Sequence, residues 1–266
     1  MNYNILFPKL GINLKINSIA FTIGFVRVHW YGIILALGFS LAFFYVSKRS
    51  RDFGIKEIEI EKFTLITSVV AIFSARLYYV IFYPGDFYLK NPHKILFISE
   101  GGIAIYGAVL GGMLTLCILS KLTNKNLGSI LDLMSLGLLI GQAIGRWGNF
   151  INQEAFGCHT DLPWGMLSEN TFGDTVHPCF LYESLGCLAC FIFLHFYSLK
   201  GKFKPGKIFF LYMLIYGCMR ILIEQLRTDS LLIPHTSMKV SQFVGILISL
   251  ISLFVLWTKY LKTEKQ

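Results

Sequence analysis

Val240–Thr258 reads VSQFVGILISLISLFVLWT, nineteen residues without a charge. A helix of about 20 apolar residues crosses the ~30 Å hydrocarbon core of a bilayer, so this stretch reads as a membrane span. Working back along the chain, six more segments meet the same length within tolerance: His29–Val46, Phe63–Tyr83, Gly101–Ser120, Ser129–Trp147, Val176–Leu199 and Ile208–Glu224. Composition agrees. Hydrophobic residues make up 55% of the 266, and charged residues 15%, where a soluble domain carries about 25%. The mean hydropathy is +0.61. So few charges cannot coat a water-facing surface, which excludes an ordinary cytosolic enzyme, a disordered chain and a disulfide scaffold. The expected fold is an all-α membrane protein of seven transmembrane helices, one domain over residues 1–266.

The loops predict which way it faces. Lys48, Arg49, Arg51, Lys56 and Lys62 follow the first span, Lys121 and Lys125 the third, Lys200, Lys202, Lys204 and Lys207 the fifth, and Lys259, Lys262 and Lys265 the seventh. The 148–178 loop has no Lys or Arg, only Glu154, Asp161, Glu169 and Asp174 as charges. The positive-inside rule then places the N-terminus outside and the C-terminus in the cytoplasm. Two outer pieces are expected: an N-terminal segment, 1–28, and a small loop domain, 148–178. Ile12-Asn13-Leu14-Lys15-Ile16 alternates weakly, as a short strand or interfacial segment would. The first 28 residues lack the continuous apolar core of a signal peptide. The net charge of +9 follows from this loop bias and gives no reason to expect nucleic acid.

No repeat relates the two halves, which weighs against the repeat-built secondary transporters. Gly107 with Gly111, and Gly137 with Gly141 and Gly145, have the four-residue spacing of close helix–helix contacts. Cys187 and Cys190 form a CxxC in the middle of an apolar span, where packing as small hydrophobes is the expected use.

Ionisable groups inside a bilayer cost several kcal/mol and need a partner or a purpose. Asp132, one turn from a span end, is expected to snorkel to the interface. Arg76 lies some 13 residues, about 20 Å, from the inner end of its span, and suits either a structural partner or a substrate role. On the sixth span Tyr216, Arg220, Glu224 and Arg227 share one helical face. That stripe reads either as an internal ion-pair ladder or as part of a site with an excess of positive charge, some of it taken up by Asp229.

The second cluster is Gly145–Gly157, GRWGNFINQEAFG. Arg146 ends the fourth span and is followed by amide and carboxylate side chains framed by glycines. A guanidinium offers five fixed donors that match phosphate, and amides can donate to phosphate or sugar oxygens. Arg146, His29, Tyr31, His177, Tyr182 and Glu183 all fall at outward span ends, and Tyr106 about two turns below one. Together they describe a phosphate-binding pocket in the outer half of the bilayer, open to an anionic lipid.

At these residues the chain resembles the phosphatidylglycerol–prolipoprotein diacylglyceryl transferases of bacteria. The matching stretches are His29-Trp30-Tyr31-Gly32, Gly101–Gly107, Gly145–Glu154 through Gly157, His177-Pro178 with Leu181-Tyr182-Glu183, and Tyr216 with Arg220, Glu224, Arg227 and Asp229. The resemblance implies transfer of a diacylglyceryl group from phosphatidylglycerol to the lipobox cysteine of a prolipoprotein. A thioether would form and glycerol phosphate would leave, in a multi-pass enzyme of the bacterial cytoplasmic (inner) membrane. It implies no metal or organic cofactor, and as partners phosphatidylglycerol, the prolipoprotein lipobox with its signal peptide, and membrane lipid. Arg146, Arg220, Glu224, Tyr31 and Tyr106 would be catalytic, and Arg146, Asn149, Glu154, Gly157, Tyr216 and His29 would bind the phospholipid. Many members carry His where this chain has Tyr106. A tyrosine, with an ordinary pKa of about 10, is a poor base at neutral pH, so Tyr106 could orient substrate while Glu224, His29 or water accepts the proton. A transporter or flippase for an anionic lipid would use the same arginines but yield no thioether, and a scaffold would tolerate their loss.

Overall fold

A computed structural model describes residues 2–97, 101–201, 203–233 and 236–261. Lys202, Lys262 and Lys265, counted above among the loop cations, lie outside the described residues. Among the described residues, seven helices are long and apolar enough to cross a membrane. In chain order the long helices are α1 (Trp30–Arg49), α2 (Glu57–Ile81), α4 (Ile105–Leu122), α5 (Leu127–Asn152), α6 (Cys179–Leu199), α7 (Lys207–Leu226) and α8 (Val240–Val255). A one-turn helix, α3 (Phe87–Lys90), lies in the connection after α2. Their outward rows, such as Leu37, Phe44, Val69, Phe73, Leu110 and Leu114, are exposed, as side chains bathed by hydrocarbon should be.

The chain divides into two compact units, residues 46–133 and residues 1–45 with 134–266. In the 46–133 unit α2 packs along α4. Gly107 permits this: a Cβ there would lie 2.5 Å from the Ser74 carbonyl oxygen and 2.9 Å from Ala75 Cα. Arg76 is 6% exposed, and its guanidinium is spent on the loop that follows. It donates to the carbonyls of Lys94 (2.7 Å), Ile95 (2.9 Å), Gly101 (2.8 Å) and Gly102 (2.9 Å), with the Tyr79 and Tyr88 rings beside it. Of its two expected roles it has the structural one. Asp132 does not snorkel; it is fully buried. Its place near a helix end gave its depth, but its bearing around the helix decides what it faces.

In the larger unit α6 packs on α7 and α7 on α8. Ser184 of α6 donates to the Ala143 carbonyl of α5 at 2.8 Å, and Gly38 of α1 lies against Ile144. Gly141 faces α1 through its backbone, its carbonyl oxygen 3.5 Å from a would-be Cβ on Gly38, although a Cβ on Gly141 itself would meet nothing within 4 Å. The N-terminal segment forms two hairpins. β1 (Asn2–Phe7) pairs antiparallel with β2 (Ile12–Asn17), Leu6 opposite Asn13, and β3 (Ile19–Ile23) pairs with β4 (Val26–His29). β1 also pairs with β5 (Leu167–Ser168) of the loop between α5 and α6, giving the order β2-β1-β5. Ile5, Phe150, Met166, Val176 and Phe180 close a small core beneath this sheet. The 1–28 segment and the interhelical loop therefore build one cap at the shared ends of α5 and α6. Four helices separate them in sequence, so the even number of crossings agrees with their lying on one side.

The boundary at residue 148 moves. α5 does not end at Trp147 but runs on to Asn152, because Phe150 continues its buried face into the cap core. Gln153, with φ 52°, breaks the helix in a left-handed turn, and Ala155 repeats the conformation at φ 58°.

Candidate active site

The charged residues of α5, α6 and α7 meet around one carboxylate. Glu183, in the first turns of α6, is 1% exposed and lies among three guanidiniums. Its Oε1 accepts from Arg220 Nη1 at 2.8 Å and lies 3.6 Å from Arg227 Nη1. Its Oε2 lies 2.6 Å from Arg146 Nη2, in an ion pair. Arg220 also donates through Nη2 to Glu224, one turn on along α7. Arg227 forks onto Asp229, with Nε to Oδ1 at 3.0 Å and Nη2 to Oδ2 at 2.8 Å.

The energetics explain why these groups occur together. Two cations about 6 Å apart repel by roughly 3 kcal/mol at an effective dielectric of 20. Arg146 and Arg220 can converge because Glu183 lies between them, and Glu183 can be buried because both neutralise it. The excess of positive charge expected from the sequence is absent from this set: Arg146, Arg220 and Arg227 face Glu183, Glu224 and Asp229. The sequence places Glu183 among the polar groups of the pocket but gives it no role there, because nothing local to it names partners 37 residues either way. Arg146 keeps 23% of its side chain exposed, more than Arg220 or Arg227, and among the described residues Glu183 is its one ion-pair partner. Most of its five donors are thus left for an incoming anion.

The structure places the other candidate residues as follows. Tyr31, in the first turn of α1, lies over Gly148, where a Cβ would meet its Cδ2 at 2.6 Å, and Arg146 and Glu154 are both within electrostatic reach. Asn149 donates to Glu154 Oε1 at 2.9 Å, so the amide and the carboxylate form one polar unit just beyond Arg146. Tyr216, one turn before Arg220, senses Arg146, Arg220 and Glu183 and stacks on Tyr212. Gly157 has no room for a side chain. A Cβ would lie 2.8 Å from His177 Cβ, 2.9 Å from Cys179 Sγ and 3.1 Å from the Leu226 carbonyl oxygen.

His29 and the His177–Tyr182 pair have partners other than the arginines. His29 ends β4, exposed and paired with Ile19, and among the described residues it makes no hydrogen bond or ion pair with the arginines. His177 and Tyr182 pair with each other instead, Nδ1 to hydroxyl at 3.1 Å, and Trp164 donates to the same hydroxyl at 2.8 Å. Burial holds the His177 imidazole below its ordinary pKa, so it is neutral and serves the cap. Tyr106 stands in the first turn of α4, half-buried, in the 46–133 unit. Cys187 and Cys190 are buried free thiols, as packing residues should be.

A pair of guanidiniums braced on a buried carboxylate, with an amide and a tyrosine beside the more exposed one, is suited to hold a phosphate and to stabilise charge growing on it. The family model described as prolipoprotein diacylglyceryl transferase matches residues 18–258. Three similar proteins, each named phosphatidylglycerol–prolipoprotein diacylglyceryl transferase, come from Finegoldia magna, Clostridioides difficile and Staphylococcus aureus. The first is 40% identical over 92% of this chain and 96% of its own length. The second is 38% identical over 87% and 92%, and the third 36% identical over 93% and 90%.

Proposed function

The chain belongs to the prolipoprotein diacylglyceryl transferase family, and we propose that Arg146 and Arg220 are the groups that take the phosphate of its lipid substrate. The enzyme transfers the diacylglyceryl group of phosphatidylglycerol to prolipoproteins. The acceptor atom is the sulfur of the lipobox cysteine. The sulfur attacks the glyceryl carbon bonded to the phosphate oxygen; that C–O bond breaks as the C–S bond forms, and its electron pair leaves with glycerol phosphate. A phosphate monoester has a second pKa of about 6, so the departing group is itself able to take up the thiol proton. The site faces the outer leaflet of the bacterial cytoplasmic membrane, with the N-terminus outside, in keeping with the bias of Lys and Arg toward the other loops.

Each residue has a physical task. Arg146 is exposed enough to meet the phosphodiester first, and its donors match two phosphate oxygens. Arg220 approaches from α7 on the other side of Glu183. As the bond breaks the phosphate gains a second negative charge, and donors already fixed in place stabilise that charge more than the ground state. Each such donor is worth about 3 kcal/mol, or a hundredfold in rate or more. Glu224 is committed to Arg220 and braces it rather than moving a proton. Asn149 and Glu154 shape the pocket for the headgroup glycerol, whose hydroxyls both donate and accept, and Tyr31 walls it off over Gly148.

The observation that carries this reading is the Arg146–Glu183–Arg220 bridge. The purified protein is incubated with phosphatidylglycerol and a lipobox peptide, and the peptide is weighed by mass spectrometry. The expected product carries a diacylglyceryl thioether, and Arg146→Ala abolishes it while folded protein persists in the membrane. An Arg146→Ala variant with parental rates would remove Arg146 from the mechanism.

A further inference from the structure

The C-terminal turn of α7 carries Glu224, and immediately beyond it lies Arg227. A helix leaves its last four carbonyls without intrahelical partners, and such a turn frays unless something else accepts the task. Here three of those carbonyls are taken. Cys158 of the loop after Gly157 donates its backbone N–H to the Leu226 carbonyl at 2.7 Å. Lys239 donates from Nζ to the Glu224 carbonyl at 2.6 Å, to that of Gln225 at 3.4 Å, and to that of Arg227 just past the helix end.

Lys239 immediately precedes α8, where a lysine would ordinarily be a flanking residue reaching for water. It does the opposite. Its backbone is held by the bridge between Leu232 and Lys239 and by the Val240 N–H to Leu231 carbonyl bond of 2.8 Å, and its side chain turns back onto α7. An ammonium has three donors and all three meet carbonyl oxygens, so none is left for a substrate. A cation at this end also complements the negative pole of the α7 dipole. The ion pair between Arg220 and Glu224 spans a single turn, and it exists only while that turn stays helical.

We propose that Lys239 is a positioning residue for the transfer: it locks the last turn of α7 and so keeps Glu224 on Arg220 and Arg227 beside Glu183. The inference rests on the transferase reading above. The test compares full-length parental protein with Lys239→Met and Lys239→Arg, using phosphatidylglycerol and a lipobox peptide, with rates normalised to folded protein. Misplacing catalytic groups by about 1 Å costs up to ~100-fold, so Lys239→Met is expected to lower kcat about 10- to 100-fold. The KM for phosphatidylglycerol should stay within about twofold, because Arg146 still meets the ground-state phosphate. Lys239→Arg restores a cation and its donors and recovers most of the rate.

A Lys239→Met variant with parental kcat, or with its whole loss in KM or in the amount of folded protein, overturns the proposal. Should that variant not accumulate, Lys239→Gln and Lys239→Arg decide: equal rates overturn it, and a faster Arg variant upholds it. A parental chain that makes no thioether sinks the transferase reading itself, and this proposal with it.

Discussion

Replacing Glu183 by Gln tests the central bridge. The substitution keeps shape and burial but removes the charge that Arg146, Arg220 and Arg227 share. The new amide can accept from one guanidinium but turns an N–H2 group toward another. Breaking a buried ion pair by removing one partner costs about 3–5 kcal/mol. Arg220 retains Glu224 and Arg227 retains Asp229, so the loss falls mainly on Arg146 and the lower figure applies. At roughly 2–4 °C per kcal/mol for a chain of this size, about 3 kcal/mol lowers Tm by around 10 °C. Catalysis suffers as well, because Arg146 is no longer aimed; about a hundredfold is expected from losing one fixed donor. The assay is a thermal melt in detergent alongside peptide lipidation. The double variant Glu183→Gln with Arg146→Gln separates the two effects. With both charges gone, Tm should recover by several degrees relative to Glu183→Gln, a coupling of about 1–3 kcal/mol, while lipidation stays lost. Strictly additive Tm losses, or parental activity in Glu183→Gln, would refute the reasoning.

Two further outcomes follow from the cap. Gly157→Ala drives a methyl group into His177, Cys179 and the Leu226 carbonyl, and overpacking of this kind costs about 1–3 kcal/mol; a Tm within 1 °C of the parental value would count against the tight packing there. His177 has its pKa lowered by burial, so its neutral form is favoured by folding. The stability it contributes is complete above its unfolded pKa, about 6.5, and declines as pH falls through that value toward the lowered folded one. Melts between pH 7.5 and 5.5 should therefore slope downward in the parental chain and flatten in His177→Gln; equal slopes would exclude the imidazole as their cause.

The spans were legible because lipid imposes a length and a polarity that few sequences meet by accident. Arg146, Arg220 and Glu224 stood out for the same reason: a charge in hydrocarbon announces itself. What sequence could not supply was the bearing of each helix about its own axis. That is why Asp132, expected at the interface, is fully buried, and why Arg76 turned out to hold a loop. It is also why Glu183, counted with the pocket, had no named partner, since its partners lie on other helices. The two antiparallel hairpins of the first 28 residues gave only a weak alternation, because nearly every position of β2, β3 and β4 is at least partly exposed, with no buried face to impose the period of two. Lys239 left no local sign at all; its partners are contributed by a helix end 12 to 15 residues away.

The extension of α5 to Asn152 has a consequence for which thiols can be acceptors. Arg146 lies six residues, about 9 Å, below the end of its helix, and that end is roofed by the β2-β1-β5 sheet and its core. A phosphodiester reaches such an arginine most cheaply by sliding in sideways with its tails still dissolved in lipid. On the transferase reading, a sulfur that came by the same lateral path would have to ride on its own greasy segment, and small thiols dissolved in water would be poor acceptors, however reactive they are.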